Sequence, residues 1–456
     1  MTEDKVASPL NRLSIFAYAL LGIPAATCLP VFYLYLIPTY LDSAPASVAL
    51  LAIGLGSVRL LDTAIPLLFG HWADRLALPV GRRRAGWLCG AALIIIGLAV
   101  FAWFAEEIGI AHLLAGGSAL TIGSAIMRVS QLAWAAELTG NYHQRSRFYF
   151  AAQVAATLGI LTGLTLPYLA TNLAAFHLGI EGIILGTTTA ICAVAGIMML
   201  IHLPDPVAEP APERVLPSFK RVNISPSWRR VLIAHSLNVF ANSLPAILLV
   251  YISLDIIGSR AIILPTVGTY LAAALFGLPL GLALARRCGK HQSWSAALIF
   301  TSAVMIWIPL LGPGDSIVLL ILAALIGFTA GMDWALPAAI QADTVDTESL
   351  RSDKVRAGFQ FGLWLFASRC AMGLALIMTL GLIGLTSGIA AIQPGTAGKA
   401  SELILVLAGL LPALAKLMAV TQIWNLPLDA TKHKAIQDRL KARRQESLDR
   451  HLSTQA

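Results

Sequence analysis

The chain has 456 residues, 57% of them hydrophobic and only 12% charged, and its 32 Lys and Arg against 24 Asp and Glu give a formal charge of +8. An ordinary soluble domain carries roughly twice that charged fraction. The composition therefore excludes a water-soluble enzyme of this size and makes the bilayer the natural solvent. The five cysteines are scattered without metal-ligand spacing and read as small buried hydrophobes.

A membrane helix needs about twenty mostly apolar residues to cross ~30 Å of hydrocarbon. By that ruler the first spans fall near 12–40, 46–71, 85–105, 110–136, 148–171 and 180–203. After a hydrophilic stretch the pattern resumes near 231–254, 262–285, 292–312, 316–341, 358–387 and 400–424. The first span is too long for a cleavable signal peptide and is followed by others. The expected architecture is an all-α integral membrane protein of twelve transmembrane helices in two six-helix bundles. Its expected parts are bundles at 1–203 and 231–424, a linker at 204–230 and a tail at 425–456. The linker contains Pro204, Pro206, Pro210, Pro212, Pro217 and Pro226 with charges between them, a composition that suits a solvated connector.

With the amino terminus assigned to the cytoplasm, the cytoplasmic segments hold 26 of the 32 basic residues, and the outer loops hold only Arg260 and Lys399. This positive-inside bias places both termini in the cytoplasm of a bacterial-type inner membrane and explains the net charge without nucleic acid. The halves also echo each other. Pro66, Gly70, Asp74-Arg75, Gly81-Arg82-Arg83-Arg84 and Trp87 follow span two; Pro279, Gly281, Arg286-Arg287, Gly289-Lys290 and Trp294 follow span eight. Ala136-Glu137 with Arg145 ends span four, and Ala342-Asp343 with Arg356 ends span ten. Repeated halves with a path between them are the construction of the major facilitator fold.

Further motifs carry a more specific likeness: Arg59-x-x-Asp62, Gly70, Asp74 and Gly81-Arg82-Arg83; Ala136-Glu137 with Tyr142 and Arg145; Asn242; Asp343-x-x-Asp346 with Arg356-x-Gly358; and Pro427-Leu428 with Ile436 and Arg443. Together they make the chain resemble the glycoside–pentoside–hexuronide cation symporters, the melibiose-permease-like branch of the major facilitator superfamily. The resemblance implies a secondary transporter, without cofactor or metal, that moves a small polar solute by alternating access. It also implies departures. Family acids that bind sugar and coupling cation match Pro24, Asp62, Pro66 and Arg128, so only Asp62 remains acidic. Trp334 and Arg369 match cavity-facing positions, Arg369 in place of a lysine, and Ala152 stands where a basic residue is common.

A charge at bilayer depth costs about 2.5–3.5 kcal/mol on insertion scales and needs a partner or a wet cavity. Arg59 and Asp62 share one helix face. They either neutralise each other as a packing pair or latch, or they form a relay in which Asp62 takes up a proton as Arg59 shifts away. One carboxylate beside two arginines is a poor cage for sodium, so H+ is the expected coupling ion, with an uncoupled facilitator as the alternative.

Arg128 and Arg369 are candidate grips for an anionic solute such as a sugar acid. The competing assignments are a pair with Asp62 for Arg128, and Asp333 or a backbone carbonyl for Arg369. Trp334 and Trp364 offer faces for a sugar ring, or anchor and pack. His235, Asn238 and Asn242 form one polar stripe on span seven, either a cavity lining or an interhelix seam. Asp74, Arg82, Arg83, Glu137, Arg145, Asp343, Asp346 and Arg356 sit at cytoplasmic helix ends, where many are expected to pair across the halves as a gate. The tail from Asp429 to Gln445 is expected to be a cytoplasmic helix.

Rival functions are a lipid or amphiphile transporter on the same fold, a receptor, and a membrane-embedded transferase using Asp343-x-x-Asp346 for metal. No nucleotide loop, zinc-protease motif or nucleophile triad is found. A small-molecule substrate, a lipid surround and a monomer are expected.

Overall fold

The structure is a computed structural model that describes residues 11–39, 48–75, 79–104, 110–173, 179–205, 225–352, 356–387 and 400–455. Most of the expected linker lies outside the described residues. Apolar runs long enough to span hydrocarbon become helices because lipid offers no partner for a free backbone N–H or C=O. The six helices of the first run are α1 Arg12–Thr39, α2 Val48–Ala73, α3 Arg82–Trp103, α4 Ile110–Leu138, α5 Tyr142–Leu173 and α6 Ile180–His202. Those of the second are α7 Pro226–Ile256, α8 Arg260–Arg287, α9 Lys290–Leu310, α10 Ser316–Ser352, α11 Ala357–Ser387 and α12 Ser401–Ile423. All twelve are long and apolar enough to cross a membrane, and a thirteenth helix, α13 Ala430–Gln455, forms the charged tail. Among the described residues there is no strand. The chain is an all-α, multi-pass membrane protein.

Several helices overrun their apolar spans. The Arg82–Arg84 run, expected as loop, is the first turn of α3. The fifth helix starts at Tyr142 rather than 148, and the tenth continues to Ser352 rather than 341. Hydropathy marks where a helix leaves lipid, whereas the backbone ladder continues wherever the polar side chains find partners. The seventh helix begins at Pro226, inside the expected linker, with Ser225 as its cap accepting from Trp228 N at 3.3 Å.

The chain divides into two compact units. The first comprises residues 1–139, 147–215 and 356–363; the second comprises 140–146, 216–355 and 364–456. In the first unit α1 packs beside α6, α2 beside α4, and α3 beside both α4 and α6. In the second the same relations recur: α7 beside α12, α8 beside α10, and α9 beside both α10 and α12. Glycines permit close backbone approach in both. A Cβ at Gly90 of α3 would meet Gly123 O of α4 at 2.6 Å, and one at Gly331 of α10 would meet Ala274 O of α8 at 2.5 Å.

The repeat extends to local geometry. α3 and α9 each follow a glycine of positive φ, Gly81 at 99° and Gly289 at 92°. Such angles suit a residue without Cβ. α1 carries a π-helical turn at Phe32–Leu36, and α7 ends in one at Ile252–Ile256. Such turns are often found at functional sites.

Candidate functional site

On α2 of the first unit, Asp62 is 1% exposed and Arg59 is 38% exposed. Arg59 Nη1 lies 3.2 Å from Asp62 Oδ2 and also donates to Tyr33 Oη at 3.3 Å, with its guanidinium carbon 5.7 Å from the Tyr33 ring centre. Tyr33 belongs to the π-helical turn of α1. One guanidinium at membrane depth thus holds a buried carboxylate and a phenol together. Arg128, half-buried on α4, belongs to the same unit.

The second unit holds a polar cluster that the sequence left undivided. Asp333 of α10 is 5% exposed, and Lys416 of α12 is 0% exposed. Asp333 Oδ1 accepts from Asn238 Nδ2 at 2.8 Å and from Trp294 Nε1 at 2.7 Å. Its Oδ2 accepts from Asn242 Nδ2 at 2.8 Å and from Lys416 Nζ at 3.1 Å. Lys416 Nζ also donates to Asn238 Oδ1 at 2.6 Å. Four donors on one carboxylate compensate its removal from water. Asn238 has both amide atoms engaged and is buried, so it belongs to a seam joining α7, α10 and α12. Asn242 keeps a half-buried side chain beside that seam.

The third member of the α7 stripe is arranged differently. His235 stacks on Trp364 of α11, with ring centres 3.7 Å apart and planes 13° apart, and its Nε2 is 2.9 Å from Ser368 Oγ. Arg369, next in the chain, is half-buried. Trp334 is half-buried with its ring edge-on to Tyr270 at 5.7 Å, a packing contact that leaves part of the indole accessible.

The charged helix ends form two clusters, one in each unit. In the first, Arg82 Nη2 lies 2.8 Å from Glu137 Oε1, and Arg83 Nη2 lies 2.6 Å from Glu137 Oε1 and 2.7 Å from Asp74 Oδ1. These three pairs lie within the first run of six helices. The reason is spacing: the starts of α3 and the ends of α2 and α4 meet locally. Asp74 also accepts from Gly358 N at 2.9 Å and Phe359 N at 2.8 Å, capping the first turn of α11 with a negative charge. A Cβ at Gly358 would lie 2.5 Å from Asp74 Oδ1, so only glycine allows this approach. Half-buried Arg356 precedes that turn, its carbonyl accepting from Gln360 N at 3.0 Å. Asp205 accepts from the N–H groups of Arg83 and Arg84 at 3.2 and 3.3 Å, and burial raises its carboxyl above the usual range against that pull.

In the second unit, Arg145 Nη1 donates to Ala342 O at 3.0 Å and meets Asp346 Oδ2, with Asp343 Oδ1 at 3.4 Å. Lys290 Nζ lies 2.6 Å from Asp343 Oδ2 and 3.8 Å from the Tyr142 ring centre. The tail joins them. His433 Nε2 is 3.0 Å from Asp346 Oδ2 and 3.2 Å from Arg145 Nη1, and Gln437 Nε2 donates to Asp346. With Lys290, Arg145 and His433 around them, the two aspartates are neutralised by side chains. That arrangement opposes the metal-binding reading of Asp343-x-x-Asp346. Tail groups as partners of the gate acids had no signal in the sequence beyond a His in a charged helix.

The profile of the family described as MFS/sugar transport protein matches residues 12–430, nearly the whole chain. The chain belongs to that family. The match agrees with the resemblance to the glycoside–pentoside–hexuronide symporters, and it makes the protein a member of a transporter family rather than an enzyme family. No curated protein matches the sequence. Among solved structures, the E. coli fucose:proton symporter FucP is similar at 15% identity, with a TM-score of 0.62 over 88% of this chain and 97% of that one. A bacterial homologue of the iron transporter ferroportin in an outward-facing state matches at 14% identity and TM-score 0.68, over 90% and 99%. The proton:xylose symporter XylE, bound to 6-bromo-6-deoxy-D-glucose, matches at 13% identity and TM-score 0.63, over 93% and 97%. At these identities the likeness is one of fold, and it is the major facilitator fold.

Proposed function

We propose that this MFS/sugar transport family member is a proton-driven secondary transporter of a small polar solute, a sugar, glycoside or sugar acid. The observation that carries the reading is the Arg59–Asp62 pair. A buried carboxylate faces an arginine that is more than one-third exposed and already shared with Tyr33. In this reading Asp62 takes up the coupling proton as Arg59 shifts toward Tyr33. One pair then exists in two states, charged-and-paired or protonated-and-apart, which is what coupling requires.

Arg128 and Arg369 give each unit a half-buried guanidinium at membrane depth and favour a solute with a carboxylate. In this reading Trp334 offers a ring face and Asn242 a polar contact. Asn238 serves instead to hold Asp333 and Lys416. The end bearing Arg82, Arg83, Arg145 and Arg356 faces the cytoplasm of a bacterial-type inner membrane by the positive-inside rule. There Asp74, Glu137, Asp343 and Asp346 act as latches that release the first turns of α11 and α5 when the transporter changes state. The working form is a monomer.

The test is uptake of labelled L-fucose, D-xylose, melibiose and D-glucuronate into proteoliposomes, with and without an inward proton gradient. Gradient-driven accumulation of at least one supports the reading. Accumulation of none, with transport of a lysolipid instead, contradicts it.

A further inference from the structure

The polar stripe of α7 holds a group that neither the coupling pair nor the helix seam uses. Asn238 and Asn242 are turned to Asp333, whereas His235 is turned to α11, within the same unit. Ser368 Oγ donates its one proton to Trp364 O at 2.8 Å. The same oxygen is therefore the acceptor in its 2.9 Å contact with His235 Nε2. That pattern assigns the proton to Nε2 and leaves Nδ1 with an unused lone pair in the plane of the ring. Nδ1 is buried, and no protein donor among the described residues reaches it. A tilt of the ring would break its stack on the indole of the buried Trp364, and a half-turn in its own plane would take Nε2 away from Ser368. A buried acceptor is satisfied in nearly all folded proteins. The residue as a whole is half-buried while Nδ1 itself is covered, so a solute reaches it in a state of the transport cycle that uncovers it.

We propose that His235 Nδ1 is a solute contact of the second unit that accepts a hydrogen bond from a hydroxyl group, with Trp364 and Ser368 as its positioning residues. The inference rests on the reading of the protein as a carrier of sugar-class solutes and adds a specificity to it. A neutral imidazole lone pair receives a hydroxyl and repels a carboxylate. Any anionic group of the solute is therefore directed to Arg369, one residue beyond Ser368, and a hydroxyl to His235. The contact selects for a hydroxyl at that point of the solute, because a deoxy analogue leaves Nδ1 buried and unmatched.

The experiment compares His235→Asn, His235→Gln and His235→Phe in the proteoliposome uptake assay with L-fucose, D-xylose, melibiose and D-glucuronate. Asn places an oxygen where Nδ1 stands, Gln places its amide where Nε2 stands, and Phe keeps only the stack. The proposal expects Asn to keep KM near wild type while Gln and Phe raise it about tenfold, the worth of one neutral hydrogen bond. Detergent gel filtration of each variant checks folding. Rescue by Gln and failure of Asn would mean that His235 matters only through Ser368, and would overturn the proposal. Unchanged KM in all three, with a folded protein, would overturn it as well. A wild type that carries none of the four solutes removes the reading beneath it and the inference together.

Discussion

Lys416 Nζ and Asp333 Oδ2 stand 3.1 Å apart in the second unit, both buried and both on membrane-spanning helices. Asn238, Asn242 and Trp294 complete the carboxylate's partners. Removing one charge leaves the other uncompensated, which typically costs about 3–5 kcal/mol. Lys416→Met and Asp333→Asn are each expected to lower unfolding stability in detergent by that order. Lys416→Met/Asp333→Asn keeps an acceptor for the neutral donors and is expected to recover most of the loss. A double variant as unstable as the sum of the singles would contradict this account of the pair.

Asp74 accepts from two backbone N–H groups at the start of α11 and also meets Arg83. Asp74→Ala strands these buried donors, at about 1–3 kcal/mol for each unsatisfied group. Uptake is expected to fall by at least about tenfold. Gly358→Ala should do the same by pushing the carboxylate away, although it removes no hydrogen-bonding group. Normal uptake by Gly358→Ala would mean that the close approach has no role in transport.

The tail helix contributes His433 and Gln437 to Asp346. A stop after Asp429 removes both and leaves Asp346 to Arg145 alone. The expected result is a protein that still folds but is less stable by about 1–3 kcal/mol, with slower uptake. His433→Ala/Gln437→Ala should reproduce it in the full-length chain. A truncated protein indistinguishable from wild type in thermal melting would count against a tail that braces the acids.

Much of this was legible before any coordinates. Twelve spans, two related halves and the Arg59–Asp62 pair follow from hydropathy, repeated Gly-Arg and Gly-Lys starts, and helical spacing. Lys416 was within reach too. It is one of few basic residues inside an apolar span, and such a charge demands a partner. Which partner was not legible, because Asp333 and Lys416 lie 83 positions apart and meet only through helix packing. The same limit hid the division of the α7 stripe. Spacing puts His235, Asn238 and Asn242 on neighbouring faces, but only the neighbours α10 and α11 decide which side chain joins a seam and which is left with a lone pair. His433 was hidden for a further reason: the tail helix is polar on most sides, so its docking face carries no apolar stripe to mark it.

The central claim is that Asp62 carries the coupling proton, and Asp62→Asn in proteoliposomes tests it most directly. The asparagine keeps the shape and stays neutral, as the protonated carboxyl does. The account predicts that proton-driven accumulation of the carried solute is abolished while its gradient-free exchange across the membrane persists. Accumulation at the wild-type level by Asp62→Asn would contradict it and move the coupling elsewhere.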